Sequence, residues 1–222
     1  LNTTIFRGIT LRIDALAFSG IRDRHSVMQP DFATIFPLRH GRVHEACGPA
    51  AAAFAAVAGS VTQGMTLWIS QSWAGETVNP LGLAPVLDPA LLLSARTDNQ
   101  TDSLAVAEEA LRDGALACVL IDITRPLNLR EGRRLQLAAK AGGTTGLCLI
   151  PEGMGSNAAE TRWRARPLFD PDDNDSTLMQ WEIIKNKSGT MGTWNVRWSQ
   201  EARRVYVVSP VGFRPGTEGT SC

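Results

Sequence analysis

From about Thr66 onward, short apolar runs and amphipathic helical patterns take turns along the chain, and this alternation constrains the fold more than any other feature. It is the pattern of βαβ units closing into a mostly parallel sheet. The run TLWIS, Thr66 to Ser70, is the first of these strands. In TDSLAVAEEALRDGA, Leu104, Ala107, Ala110 and Leu111 fall at helical spacing, with Asp102 or Ser103 as the expected N-cap and Gly114 as the stop. The strand LACVLID follows directly. Asn128 and Glu131 then form a capping box ahead of LREGRRLQLAAKA, which Gly142 and Gly143 end, and the strand TTGLCLI completes another unit. After Pro151 come the alternating RWRARPLF, an acidic linker DPDDND, and the runs MQWEIIK and TWNVRW, which read as a terminal antiparallel extension of the sheet. From Val211 the chain is rich in glycine, proline, serine and threonine and is expected to be flexible.

Charge and cysteine usage narrow the function classes. Lysine plus arginine (22) equals aspartate plus glutamate (22), so no global basic field draws the chain to nucleic acid or membrane, and any such binding must be local. Cys47, Cys118, Cys148 and Cys222 lie far apart, with no CxxC pair and no histidine cluster, so no metal site is expected. Cys118 and Cys148 sit inside apolar runs, where reduced buried thiols are expected. The alanine-rich stretch from Ala46 to Gly59 is too short for a membrane span, and the beginning of the chain lacks the pattern of a signal peptide. The expectation is a cytoplasmic protein that does not engage membranes.

The segment HEACGPAAAAFAAVAG, His44 to Gly59, stands where a nucleotide-binding α/β fold carries its first strand, glycine turn and helix. A phosphate loop needs G-x-x-x-x-G-K-[ST], so that amides curl around the phosphates, a lysine neutralises them and a hydroxyl holds magnesium. Counted from Gly48 and Pro49, the second glycine falls on Ala53, the lysine on Phe54 and the hydroxyl on Ala55. In this frame the chain resembles the RecA recombinase core. TLWISQSWAGETVNPLGLAP resembles its strand and following loop, SLAVAEEALRDGALACVLIDI its helix and magnesium-holding strand, and WEIIKNKSGTMGTWNVRW its late hairpin with the Lys-Asn-Lys turn. With its lost phosphate loop and closing hairpin, the chain most resembles the ImuA family of RecA-like proteins, over roughly residues 40 to 200.

That resemblance implies an α/β, RecA-like three-layer core at 40–208, between an N-terminal segment at 1–39 and a flexible tail at 209–222. It also implies a damage-inducible accessory factor of error-prone translesion synthesis. Its partners would be ImuB, a homologue of Y-family polymerases, an error-prone C-family polymerase reached indirectly, and RecA; self-association is a further expectation. Ser72 stands where RecA has its water-activating glutamate, and only Asp122, the counterpart of the magnesium-holding aspartate, survives. No catalytic residue, cofactor or turnover is therefore expected. The two DNA loops of RecA are reduced to ITRPLN and PEGMGS, so isolated DNA contact should be weak. Two alternatives are an ATPase or nucleotide-binding subunit that depends on a partner, and a cell-division inhibitor of the SulA type.

Three further sites are candidates for contact. Arg162, Trp163, Arg164 and Arg166 alternate on one strand and suit single-strand phosphates and bases, or else form an edge strand with solvated arginines and a core tryptophan. Lys185 and Lys187 match the turn by which RecA subunits reach a neighbour's nucleotide, or are two exposed turn lysines. Trp73, in the loop after TLWIS, is the expected interface anchor.

Overall fold

The structure, a computed structural model, describes residues 31–74, 78–170 and 177–210. The expected tail from Val211, the first thirty residues of the N-terminal segment and most of the acidic linker lie outside them. The strands are β1 (Val43–Cys47), β2 (Thr66–Gln71), β3 (Leu92–Thr97), β4 (Cys118–Asp122), β5 (Thr145–Leu149), β6 (Thr161–Pro167), β7 (Met179–Asn186), β8 (Gly192–Ser199) and β9 (Arg204–Pro210). They form one sheet in the order β3-β2-β4-β5-β1-β6-β7-β8-β9. The pairings from β3 through β6 are parallel, and those from β6 through β9 are antiparallel. This is the expected mostly parallel α/β sheet with an antiparallel extension. The four central strands β2, β4, β5 and β1 are buried almost throughout, as continuous apolar runs covered on both faces must be.

Helices α1 (Ala51–Val61), α2 (Pro80–Leu83), α3 (Gln100–Asp113) and α4 (Leu129–Gly142) complete the layers. On one face α1 buries Phe54 to Gly59 in succession, against Ala46, Trp68, Leu120 and Leu147 of the parallel strands and Trp163, Trp181 and Trp194 of the antiparallel ones. On the other face α3 and α4 bring Leu104, Leu111, Leu135 and Ala139 onto Val43, Ile69, Val119 and Ile121. The capping box of Asn128 and Glu131 and the left-handed Gly143 delimit α4 as expected. Helix α3 starts earlier than expected: Asn99, not Asp102 or Ser103, is its N-cap, and the Asn99 side chain accepts from the Asp102 amide at 3.0 Å. Strands β3 and β9 were not anticipated.

Part of the 1–39 segment belongs to the core. Phe36 and Leu38 are buried, and Phe32 and Phe36 join Phe54, Trp163, Trp181 and Trp194 in an aromatic cluster. His44 of β1 ties this segment down. Its Nε2 lies 3.1 Å from the Arg39 carbonyl, and its Nδ1 lies 2.7 Å from the Thr161 hydroxyl, which also accepts from the Trp163 indole at 2.8 Å. Cys47, Cys118 and Cys148 are buried free thiols.

Candidate functional site

The phosphate turn is where the sequence frame puts it, between β1 and α1, but it is closed. Gly48 has φ +93°, and a Cβ there would come within 2.5 Å of the Ala165 carbonyl oxygen, so only glycine fits. The Ala50 amide donates to that same carbonyl at 3.1 Å, and the Ala51 amide folds back to Gly48 at 3.0 Å. Helix α1 begins at Ala51, within three residues of Gly48, so the long arc of amides that cradles phosphates never forms. Phe54, in the lysine position, is fully buried, its ring 4.6 Å from Trp181 and 5.4 Å from Trp163. Beside the turn lies a cavity of about 310 Å³ whose lining, Pro49, Ala53, Val57, Met179 and Trp198 among it, carries no cation.

The neighbouring positions are also committed to the chain itself. The Trp68 indole donates to Asp122 Oδ1 at 3.2 Å, and burial raises the Asp122 carboxyl above its ordinary value while this bond opposes the shift. Asp122 is thus a partly buried carboxylate bonded to a core tryptophan. Ser72 donates to Asp98 at 3.2 Å and closes the end of β3. The loop that follows β4, expected from the resemblance to stand in for RecA's first DNA loop, is clamped by Gln100. Its Oε1 accepts from the Thr124 and Arg125 amides, each at 2.8 Å, and its Nε2 donates to the Arg125 carbonyl at 3.0 Å.

The loop after β5, expected from the resemblance to stand in for RecA's second DNA loop, is held more tightly still. Lys185 donates to the carbonyls of Ser156 (3.2 Å), Asn157 (3.2 Å) and Ala159 (2.6 Å), and Lys187 donates to Ala158 at 2.6 Å. The ammonium of Lys185 carries three N–H groups, and three carbonyls engage it, which leaves no donor for a neighbouring subunit's nucleotide. This corrects the reach-across role expected of Lys185; Lys187 remains exposed. Desolvation lowers the Lys185 pKa, with Glu45 opposing. Glu45, a fully buried carboxylate in β1 that the sequence reading passed over, accepts from the Ser156 amide and from Arg162 Nε, both at 2.7 Å. A glutamate inside an apolar central strand signals a buried cation partner. The identity of that cation, 117 positions away, is fixed only by the pairing of β1 with β6.

The arginine and tryptophan strand divides. Trp163 is buried in the aromatic cluster and offers no face to a base, so of the two readings of this strand the core tryptophan holds and the stacking residue does not. Arg162 is spent on Glu45, and Arg164 lies between Glu152 (3.2 Å) and Glu182 (3.1 Å); Arg166 alone of the three is exposed. Trp73 is 64% exposed and follows β2, four places from β6 in the sheet. Among the described residues no group of three or more histidine, cysteine, aspartate or glutamate side chains could hold a metal, and no helix is long and apolar enough to cross a membrane.

No protein-family model matches the chain, and no curated protein matches it in sequence. Among solved structures, the crystal structure of the RadB recombinase superposes with a TM-score of 0.58 at 14% identity, over 77% of this chain and 92% of that one. The fold is RecA-like. At this identity the likeness is one of architecture.

Proposed function

We propose that the chain is a RecA-like binding protein without nucleotide turnover, an accessory factor of error-prone translesion DNA synthesis of the ImuA type. It engages ImuB, through ImuB an error-prone C-family polymerase, and it contacts RecA. The observation that carries the reading is the closed phosphate turn, in which an amide that would face a phosphate is bonded to Ala165 and the lysine position is a core phenylalanine. Phosphoryl transfer depends almost wholly on positioning and charge neutralisation, and the turn supplies neither. The likeness in fold to a recombinase supports a setting in DNA metabolism. A chain that keeps that architecture while sealing its nucleotide turn suits holding partners together.

A partner-dependent ATPase subunit is the second reading, favoured by the retention of Asp122 at the end of β4. Against it stands the bond from Trp68 to that carboxylate. Two assays separate the readings. Incubation with ATP and magnesium should give no hydrolysis above buffer and no nucleotide-dependent change in Tm, and tagged protein should co-purify with ImuB and with RecA. Turnover that disappears in an Asp122→Ala variant sinks the first reading in favour of the second, and failure to bind either protein removes the adaptor role.

A further inference from the structure

The outer face of α4 is composed unlike the rest of a chain with zero net charge. Leu129 and Leu137, 51% and 67% exposed, lie two turns apart on it, about 12 Å along the axis. Arg130, Arg133 and Lys140 share the exposed side of the helix, and among the described residues none of them has a carboxylate within ion-pair distance. The acids nearest in sequence are taken: Glu131 pairs with Arg125, Asp122 accepts from Trp68, and Glu152 pairs with Arg164. Between this face and the loop after β5 runs a groove of about 470 Å³, lined by Leu129, Arg133, Leu137, Ala158 and Lys187 together with the amides of Gln136 and Asn157. No carboxylate lines it.

The walls of the groove are fixed before anything binds. Gly132 lets α4 lie against the loop so closely that a Cβ would come within 2.5 Å of Ser156 Oγ and 2.8 Å of the Ala158 methyl. Gln136 clamps both backbone groups of Val43, and Lys187 holds the Ala158 carbonyl from the opposite side. A preformed groove with two exposed leucines and an unopposed cationic rim is complementary in both shape and charge to one kind of occupant.

We propose that the α4 groove binds an acidic amphipathic segment of a partner protein, one that sets two apolar side chains about two helical turns apart between flanking carboxylates. The apolar side chains seat against Leu129 and Leu137. The carboxylates meet Arg130, Arg133 and Lys187. The surface lies apart from the phosphate turn, so it stands or falls separately from the absence of nucleotide turnover.

The test uses the full chain and a fluorescent synthetic helix of leucine, alanine and glutamate with leucines spaced two turns apart, read by anisotropy. Saturable binding is expected, weakening as salt rises. Leu137→Glu and Arg133→Glu should each weaken it at least about tenfold while leaving Tm near that of the parent, since both side chains are exposed. Arg130→Glu on the rim supplies the same readout should Leu137→Glu lower Tm. Absence of binding overturns the proposal, as does equal affinity for a glutamate and alanine helix without leucines, which would reduce the groove to a cationic patch. Binding of single-stranded oligothymidylate that is tighter than that of the peptide and equally sensitive to Arg133→Glu also overturns it, and assigns the face to nucleic acid.

Discussion

Phe54 and His44 show how single positions decide what the phosphate turn has become. Phe54 packs against Phe36, Trp163 and Trp181, so Phe54→Lys both removes a buried aromatic ring and buries a charge. The expected loss is about 4 kcal/mol or more, measured as a lower urea midpoint at unchanged slope, and a variant as stable as the parent would mean that position 54 faces an open site. His44 makes stability depend on pH. Burial lowers its pKa from 6.5 to about 4 in the folded chain, so between these values the unfolded chain binds a proton that the folded one does not. The stabilisation by neutral His44 is complete above pH 6.5 and is lost as pH falls towards 4, by up to about 3 kcal/mol. Urea titrations at pH 7 and pH 4.5 should show this loss in the parent and a smaller one in His44→Gln. The frame of Gly48 to Ala55 in the sequence already revealed the missing lysine; it could not reveal that the Ala50 amide turns to Ala165, because that bond depends on β6 lying beside β1.

At the scale of elements, β7 and the turn after it act on a loop far away in sequence. Lys185 and Lys187 together hold four carbonyls of the loop after β5. Replacing both with methionine keeps the length of the side chains but takes the lysine donors from the carbonyls of Asn157, Ala158 and Ala159, while the Ser156 carbonyl keeps Arg162 and the Ala159 amide. The expected outcome is faster amide hydrogen exchange in residues 154–160 with little change in the central strands, and unchanged exchange there would show that the Glu45 and Arg162 pair suffices. Local signals made most helices and central strands legible, among them the Asn128 box, the left-handed Gly114 and Gly143, and the apolar runs of β2, β4 and β5. They failed at the margins. The start of α3 lies in a string of possible caps from Asp98 to Ser103, and only the geometry selects Asn99. β3 has no clean alternation and just one β-branched residue, Thr97, while Val207 and Val208 of β9 are exposed on opposite faces, so neither edge strand carries the period-2 signal of a half-buried one. The lysine pair stands out by its resemblance to the Lys-Asn-Lys turn of RecA, but that resemblance says nothing about which carbonyls will be near.

For the molecule as a whole, zero net charge combines with internal pairing to limit contact with DNA. Arg162 and Arg164 are matched by Glu45, Glu152 and Glu182, so of that strand Arg166 alone can reach a phosphate. Single-strand binding by the isolated chain should be weak. Arg166→Ala should lower its salt slope by no more than about 0.7, the contribution of one phosphate. A reduction of two units or more on replacing all three arginines, in a variant that remains folded, would show that the ion pairs open to meet the strand. The aromatic cluster has a consequence of another kind. Trp163, Trp181 and Trp194 come from three adjacent strands, with ring centres 6.2 Å apart for one pair and 6.4 Å for another. Indoles so close share their electronic excitations, and the near-ultraviolet dichroism of the protein should carry a coupled band that belongs to no single tryptophan. Because Phe54 of α1 and Phe32 and Phe36 of the N-terminal segment wedge the same rings into place, that band becomes an optical gauge of whether helix, segment and antiparallel strands are docked together.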